Sequence, residues 1–299
     1  MSSNLNKLAP ICLFTFNRLE ETIKTVTALQ NNFLSDKSDL YIFSDGFMNE
    51  TESLKVQEVR NYLKTINGFK SVTIFESESK KGLAKSIIEG VSKMFEKNDS
   101  IIVLEDDLIS SPNFLNFMNQ GLAFYEKNEA IMSISGYTLD LKSLKNINKD
   151  YYIGFRASSW GWATWKKEWI NIDWEVKKHS VIKYNLSKRY QFMRGGSDLP
   201  KMLRNQQSGK INSWAIRWCF HQFLLNKYTV FASSSKIMSI GYGINATHTK
   251  KTKRFHTELD SSNKIDFKFD KEIQLNDNLI KEFRQKFSVL NRIIDKFKK

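Results

Sequence analysis

Ile101-Ile102-Val103-Leu104-Glu105-Asp106-Asp107-Leu108 is the stretch on which the reading of this chain turns. The apolar run predicts a strand buried in a sheet. Three consecutive carboxylates at its end repel one another, and unpaired charges are costly to desolvate at the mouth of a buried strand. A divalent cation removes that conflict. Hard oxygen ligands suit Mg²⁺ or Mn²⁺, which bind through one or two carboxylates and the phosphates of a substrate. A solvated acidic turn is the plain alternative. The strand before the acids and the Ser111-Pro112 helix start after them favour the metal.

Outward from this strand the same alternation repeats. Residues 10–16 read as a buried strand. Asn17 reads as the cap of a helix with Leu19, Ile23, Val26 and Leu29 on one face and Glu20 placed for a capping box. Residues 40–43 form a second strand ending in Ser44-Asp45-Gly46, and 50–65 a helix with Leu54, Val59 and Leu63 inward. Residues 72–75 are a third strand, 83–95 a helix after Gly82, and 100–104 the fourth strand. Strands alternating with helices predict an α/β fold, a mostly parallel central sheet flanked by helices. Ligands of such sheets sit beyond the carboxyl ends of the strands. Phe16-Asn17-Arg18, Ser44-Asp45-Gly46, residues 76–81 and the acidic triplet all fall there.

The second half is less regular. Five of the seven tryptophans lie between Tyr151 and Trp174. Residues 213–225 predict a helix and 228–232 a strand, followed by a basic loop at 250–254. Residues 279–299 predict one amphipathic helix, with Leu279, Ile280, Phe283, Phe287, Leu290, Ile294 and Phe297 on its apolar face and lysines and arginines elsewhere. The chain divides into a first half, 1–137, a second, 138–250, and a basic tail, 251–299.

Composition narrows the classes. Hydrophobic content of 41% suits a large core, and 3 prolines and 13 glycines in 299 residues argue against disorder. Cys12 and Cys219 sit in apolar patterns and read as core residues in a reducing compartment. The first ten residues are polar and no stretch approaches a membrane span, so a cytoplasmic protein is expected, soluble or attached at a membrane surface. A net charge of +14 favours polyanions or anionic lipid headgroups. No zinc-finger spacing, RNP-type motif or basic heptad supports nucleic acid. Neither GxGxxG nor GxxxxGK[ST] is present, so neither a dinucleotide nor a P-loop is indicated.

A nucleotide diphosphate is the natural ligand for the polar edge. Asp45 reads equally as an acceptor from base or ribose and as a turn former with Gly46. Lys80-Lys81-Gly82-Leu83 opens a helix, where N–H groups and the helix dipole favour phosphate; a solvated lysine pair is the alternative.

At this point the chain resembles GT-A glycosyltransferases, in particular bacterial family-2-like sugar transferases related to the N-acetylglucosaminyltransferase I type. The resemblance rests on Phe14-Thr15-Phe16-Asn17-Arg18, Ser44-Asp45-Gly46, Gly82-Leu83-Ala84, Leu104-Glu105-Asp106-Asp107, Ser159-Trp160-Gly161-Trp162-Ala163-Thr164-Trp165, Ser213-Trp214-Ala215-Ile216-Arg217-Trp218 and the segment 240–248. It implies a donor site of Phe16, Asn17, Arg18, Asp45, Lys81, Lys85, Glu105 and Asp106. Asp107 and His248 would be the metal ligands. Trp160, Gly161, Trp162, Trp165, Trp214 and Arg217 would form the acceptor side, with a tryptophan core as the competing reading for at least one ring. The implied reaction is inverting sugar transfer from a nucleotide donor, expected to be a UDP-sugar, with Mn²⁺ or Mg²⁺. The implied acceptor is a hydroxyl of a bacterial surface glycan (O-antigen, capsule or lipooligosaccharide), free or lipid-linked.

The resemblance leads one to expect an aspartate just before the Ser213 helix, where this chain has Asn212. Another acid such as Asp198 could serve as base, the asparagine could replace a native aspartate, or the protein could bind without turnover. Two rivals therefore stay open, a catalytically silent nucleotide-sugar or polyanion receptor and a sugar nucleotidyltransferase. The terminal helix either packs on the domain or lies on an anionic membrane surface.

Overall fold

The structure, a computed structural model, describes residues 7–241 and 254–297. The first half runs β1 (Ile11–Thr15), α1 (Leu19–Gln30), β2 (Asp39–Ser44), α2 (Glu50–Leu63), β3 (Ser71–Glu76), α3 (Leu83–Met94) and β4 (Ser100–Glu105). There follow β5 (Leu108–Ser110), α4 (Phe114–Tyr125), β6 (Ile131–Ser135), β7 (Tyr151–Gly154), β8 (Trp162–Trp165) and the short α5 (Lys166–Trp169) and α6 (Ser180–Lys183). The chain then forms α7 (Leu186–Phe192), α8 (Leu199–Gln207), α9 (Trp214–Leu224), β9 (Tyr228–Ala232), β10 (Ile237–Ser239), α10 (Asp277–Lys286) and α11 (Val289–Phe297).

One eight-stranded sheet, in the order β3-β2-β1-β4-β8-β6-β9-β7, organises the molecule. β1 to β4 are parallel; β8 and β7 pair antiparallel with their neighbours. This is the mostly parallel α/β architecture that the pattern predicts. Alternate residues of each strand enter opposite layers. Ile11, Leu13, Ile102 and Leu104 pack with α1 and α4, whereas Cys12, Phe14, Ile101 and Val103 pack with α3 and α9. Both cysteines are buried and unpaired, as core residues should be.

Local chemistry sets the helix ends. The Asn49 side chain accepts from the Glu52 N–H at 2.9 Å and Glu52 accepts from the Met48 N–H at 3.1 Å, closing the start of α2. α1 differs from expectation: Arg18 is its first flanking residue, and no side chain caps it. Leu54 also differs, standing 67% exposed. The buried positions of α2 are Val56, Val59, Arg60 and Leu63, the i, i+3, i+4, i+7 stripe.

The expected terminal helix is two helices. Ser288 Oγ accepts from the Asn291 N–H at 3.2 Å and starts α11 afresh. α10 buries Leu279 and Phe283, with Phe287 just beyond it, and Phe283 meets Phe231 at 5.6 Å. α11 instead leaves Val289, Leu290, Ile293 and Ile294 exposed.

A buried ion pair ties residues after the second half of the chain to the core. Lys236 pairs with Asp260, which also accepts from the Ser262 N–H at 2.9 Å and Asn113 Nδ2 at 3.0 Å. Burial alone would raise the Asp260 pKa; these bonds outweigh it and hold the carboxyl below its ordinary value. Its stabilisation is thus complete above the usual aspartate value, about 4, and is lost as pH falls through the lower native value. Asp260→Asn leaves the Lys236 charge buried and unpaired, and urea unfolding at neutral pH should show a loss of about 3–5 kcal/mol.

Candidate active site

The carboxyl ends of β1, β2, β3 and β4 meet along one edge, and the polar clusters meet with them. Glu105 ends β4, and Asp106 and Asp107 form the turn into β5. Arg18, at the start of α1, spans both aspartates: one nitrogen pairs with Asp106 and Nη1 reaches Asp107 Oδ2 at 3.1 Å. Asp106 also accepts from the Phe16 N–H at 3.3 Å. Thr25 fixes the turn from behind, its hydroxyl donating to the Asp106 carbonyl at 2.8 Å and accepting from the Leu108 N–H at 3.2 Å.

Electrostatically the cluster is over-acidic. Burial is the largest cause that pushes the Asp106 carboxyl up to about 6, with Arg18 opposing and Asp107 adding. Glu105 is raised well above the carboxylate range, first by burial and then by repulsion from Asp107 and Asp106. Burial works against the Arg18 charge, yet Asp106 and Asp107 overcome it and raise its pKa. One guanidinium therefore serves three acids. Gly241 passes directly over Asp107: a Cβ there would stand 2.0 Å from Asp107 Oδ2. The Ile240 N–H donates to the Asp107 carbonyl at 2.9 Å. The cradle and the charge deficit fit a divalent cation held by Asp107 and ligand oxygens. Among the described residues no three His, Cys, Asp or Glu side chains gather to hold an ion. His248 lies outside the described residues.

Asp45 takes the turn role fully. Its Oδ1 accepts from the Gly46 and Lys81 N–H groups at 2.9 and 2.8 Å, and Oδ2 from the Gly82 N–H at 2.9 Å. Two of the N–H groups expected to meet phosphate are thus engaged inside the protein. Lys80 pairs with Glu52 at 2.6 Å and lies 4.6 Å from the Phe16 ring. Lys81 pairs with Glu89 at 2.8 Å, and Lys85 approaches the same acid at 3.7 Å. A cavity of about 410 Å³ opens beside them, lined by Ser44, Asp45, Glu76, Ser77 and Lys81 with Phe43 and Phe75. Asn17, half-buried, stays at this edge between Phe16 and Arg18.

The expected acceptor floor is corrected by burial. Trp162, Trp165 and Trp214 are 0, 4 and 3% exposed, and rings so enclosed offer no face to a sugar. Trp162 packs on Trp218 at 4.5 Å and on Trp214 at 5.2 Å, inside the second core layer. Gly161 holds φ +55, and a Cβ there would strike Ile237 at 2.4 Å, so its close approach is to a core side chain. Trp160 alone of these rings is partly exposed, packed edge-on to Tyr137 at 4.6 Å. Arg217 braces the start of α9, donating to the Ser213 carbonyl at 3.1 Å and to Asn212 Oδ1 at 2.7 Å. Both oxygens of Asp198 accept from Arg156, at 2.9 and 3.2 Å, and Arg156 lies over the Phe287 ring at 4.1 Å. That carboxylate anchors a packing contact.

Sequence reasoning missed Arg60, which is buried and joins the ends of β2 and β3 by donating to the Ser77 carbonyl at 2.7 Å and to Ser44 Oγ at 3.2 Å. Its signal is a charged residue on the apolar stripe of α2. Thr25 was equally hidden, one more threonine on α1.

No protein-family model matches the sequence, and no curated protein matches it. Solved structures resemble the fold distantly. The mannosyltransferase PcManGT from Pyrobaculum calidifontis, in complex with GDP-Man and Mn²⁺, is 9% identical over 55% of this chain and 46% of that one, with a TM-score of 0.40. S. aureus TarS 1–349 is 9% identical over 79% and 61%, TM-score 0.43, and its complex with UDP-GlcNAc is 8% identical over 83% and 63%, TM-score 0.45. The chain thus spans 46% to 63% of the lengths of these structures. Likeness at this level assigns no chemistry to the chain, and the residues themselves must carry the function.

Asp45 gives the sharpest test of this edge. Asp45→Ala strands three N–H groups, and urea unfolding should show a loss of about 2–3 kcal/mol. A ligand-only role for Asp45 would leave stability unchanged.

Proposed function

We propose that this chain is a GT-A-type glycosyltransferase that moves a sugar, with inversion, from a UDP-sugar to a hydroxyl of a bacterial surface glycan. The observation that carries the reading is the over-acidic Glu105–Asp107 turn, held at the ends of parallel strands under a single guanidinium. A fold gains nothing from concentrating acids there, whereas a cation with a diphosphate balances them. The resemblance in the sequence motifs points the same way. The chain covers only part of the lengths of the solved structures it resembles, and the substrates named here belong to the proposal.

Asp107 is the carboxylate that would hold Mn²⁺ or Mg²⁺, with His248 as the expected second ligand. Such an ion, when bound, supplies Lewis-acid stabilisation of charge on the departing diphosphate. Arg18, which pairs with Asp106 and Asp107, would stand beside the same developing charge. Asp106, fixed by the Phe16 N–H, would reach the ribose or the donor sugar, and Phe16 and Asn17 would border the base. Trp160 offers the partly exposed ring for a sugar face. The base that takes the acceptor proton is not Asn212, whose amide cannot accept it at neutral pH. Asp198 is doubly bound by Arg156.

The same reading places the enzyme at the inner face of a membrane, where lipid-linked acceptors lie. No described helix is long and apolar enough to cross a membrane. The exposed apolar face of α11 suits surface attachment.

UDP release from UDP-sugars with Mn²⁺ and a glycan acceptor tests the proposal. Asp107→Asn should lower the rate at least about a hundredfold; an unchanged rate would remove the metal role. Asn212→Asp should raise transfer, and no rise would show that position 212 is not a disabled base. UDP with Mn²⁺ should raise the melting temperature by mass action; a rise with GDP alone would overturn the uridine assignment.

A further inference from the structure

Positive charge is not spread evenly over this molecule. Between Val176 and Arg217 the chain carries ten lysines and arginines, and its one acid, Asp198, is spent on Arg156. Within this stretch, Lys183 to Gln191 are nine consecutive exposed residues. They are nevertheless ordered structure, the end of α6 and most of α7. Asn185 caps α7, accepting from the Lys188 N–H at 2.9 Å. Ile182 and Phe192 anchor the two ends, Phe192 against Phe220 and Phe223 at 5.7 and 5.0 Å.

What this anchored hairpin shows to solvent is unusual for an exposed element. Tyr184, Leu186 and Tyr190 stand 76, 77 and 59% exposed among Lys183, Lys188 and Arg189. No core contact explains large apolar side chains at those positions, and their concentration on one exposed segment marks an interaction surface. Arg284 of α10 lies over the Tyr190 ring at 4.3 Å, so the basic surface continues onto the terminal helices.

We infer that the α6–α7 hairpin docks on an anionic lipid bilayer, with Tyr184, Leu186 and Tyr190 entering the interfacial layer and the surrounding lysines and arginines meeting lipid phosphates. The charge complementarity is direct, because the free charges of the segment are all positive and each is worth about fivefold in partitioning near an anionic leaflet. Tyrosine and leucine distinguish this occupant from a soluble polyanion. Their rings and methyl groups gain from leaving water at an acyl boundary and gain nothing along a hydrophilic polymer. The segment contributes no residue to the Glu105–Asp107 clasp, and the inference does not rest on the proposed sugar transfer. It also differs from α11, being an internal segment that the sequence did not single out.

Co-sedimentation of the full chain with vesicles of equal parts phosphatidylglycerol and phosphatidylcholine tests the inference. The wild type should bind these and not pure phosphatidylcholine. The triple variant Tyr184→Ser, Leu186→Ser, Tyr190→Ser keeps every charge and loses only exposed ring contacts such as that of Arg284, so a melting temperature near that of the wild type shows that the fold is kept, and it should partition about tenfold less. Lys188→Gln with Arg189→Gln should lose about fivefold per charge. A comparison variant, Leu290→Asn with Ile294→Asn on α11, separates the two surfaces: it should keep a partitioning that the serine substitutions then reduce. Equal vesicle binding by wild type and triple variant overturns the inference. So does failure of the wild type to bind anionic vesicles, or equal binding to soluble polyphosphate that survives the serine substitutions. UDP release with a soluble acceptor should be unchanged in the triple variant, so loss of docking and loss of the proposed activity are read separately.

Discussion

A single guanidinium, that of Arg18, holds Asp106 and Asp107 together at the end of β4. Without it the turn would place two carboxylates side by side beside a third, in a partly desolvated corner. The pairing joins elements far apart in sequence, the β1–α1 junction and the β4–β5 turn. The Phe16 N–H and the Thr25 hydroxyl complete the clasp. The parallel strands position it, since β1 and β4 are adjacent and their carboxyl ends level, Phe14 pairing in register with Glu105.

The compensation is incomplete. One guanidinium faces three acids, and burial first, with mutual repulsion adding to it, raises the pKa values of Glu105 and Asp106. A protein selected for stability alone would dispense with one of these acids, since removing an uncompensated charge costs little. Under the proposed function the three acids are kept to receive a cation and a diphosphate. Arg60 and Asp45 buttress the neighbouring strand ends in the same manner, with buried polar groups satisfied by the protein itself. The edge is therefore preorganised, and its excess negative charge is held where ligands of parallel sheets bind. The excess positive charge of the molecule lies elsewhere, concentrated between Val176 and Arg217.

The first half of the fold was legible because hydrophobic period and turn residues agree: apolar runs at β1 and β4, stripes on α1 and α3, polar clusters at the strand ends. The convergence of those clusters followed from topology. What each side chain does there did not follow. Arg18 stood as a base-pocket residue, and its role as counter-ion depends on a contact across 88 residues of chain. The tryptophans read as a sugar floor because a tryptophan motif looks alike whether its rings face a ligand or one another. β8 was hidden inside that motif, since a four-residue strand between reversed neighbours carries too few residues for a period. The break between α10 and α11 was masked by apolar spacing that continues through Ser288. A local hydroxyl cap outweighs it there.

The most direct test of the clasp is a double-mutant cycle between Arg18→Gln and Asp106→Asn, read by urea unfolding at neutral pH. The account predicts non-additive losses with a coupling of about 2–3 kcal/mol, because the two groups act as one pair. Losses that add to within about 0.5 kcal/mol would mean the two residues are energetically independent, and the proposed organisation of the site would be wrong.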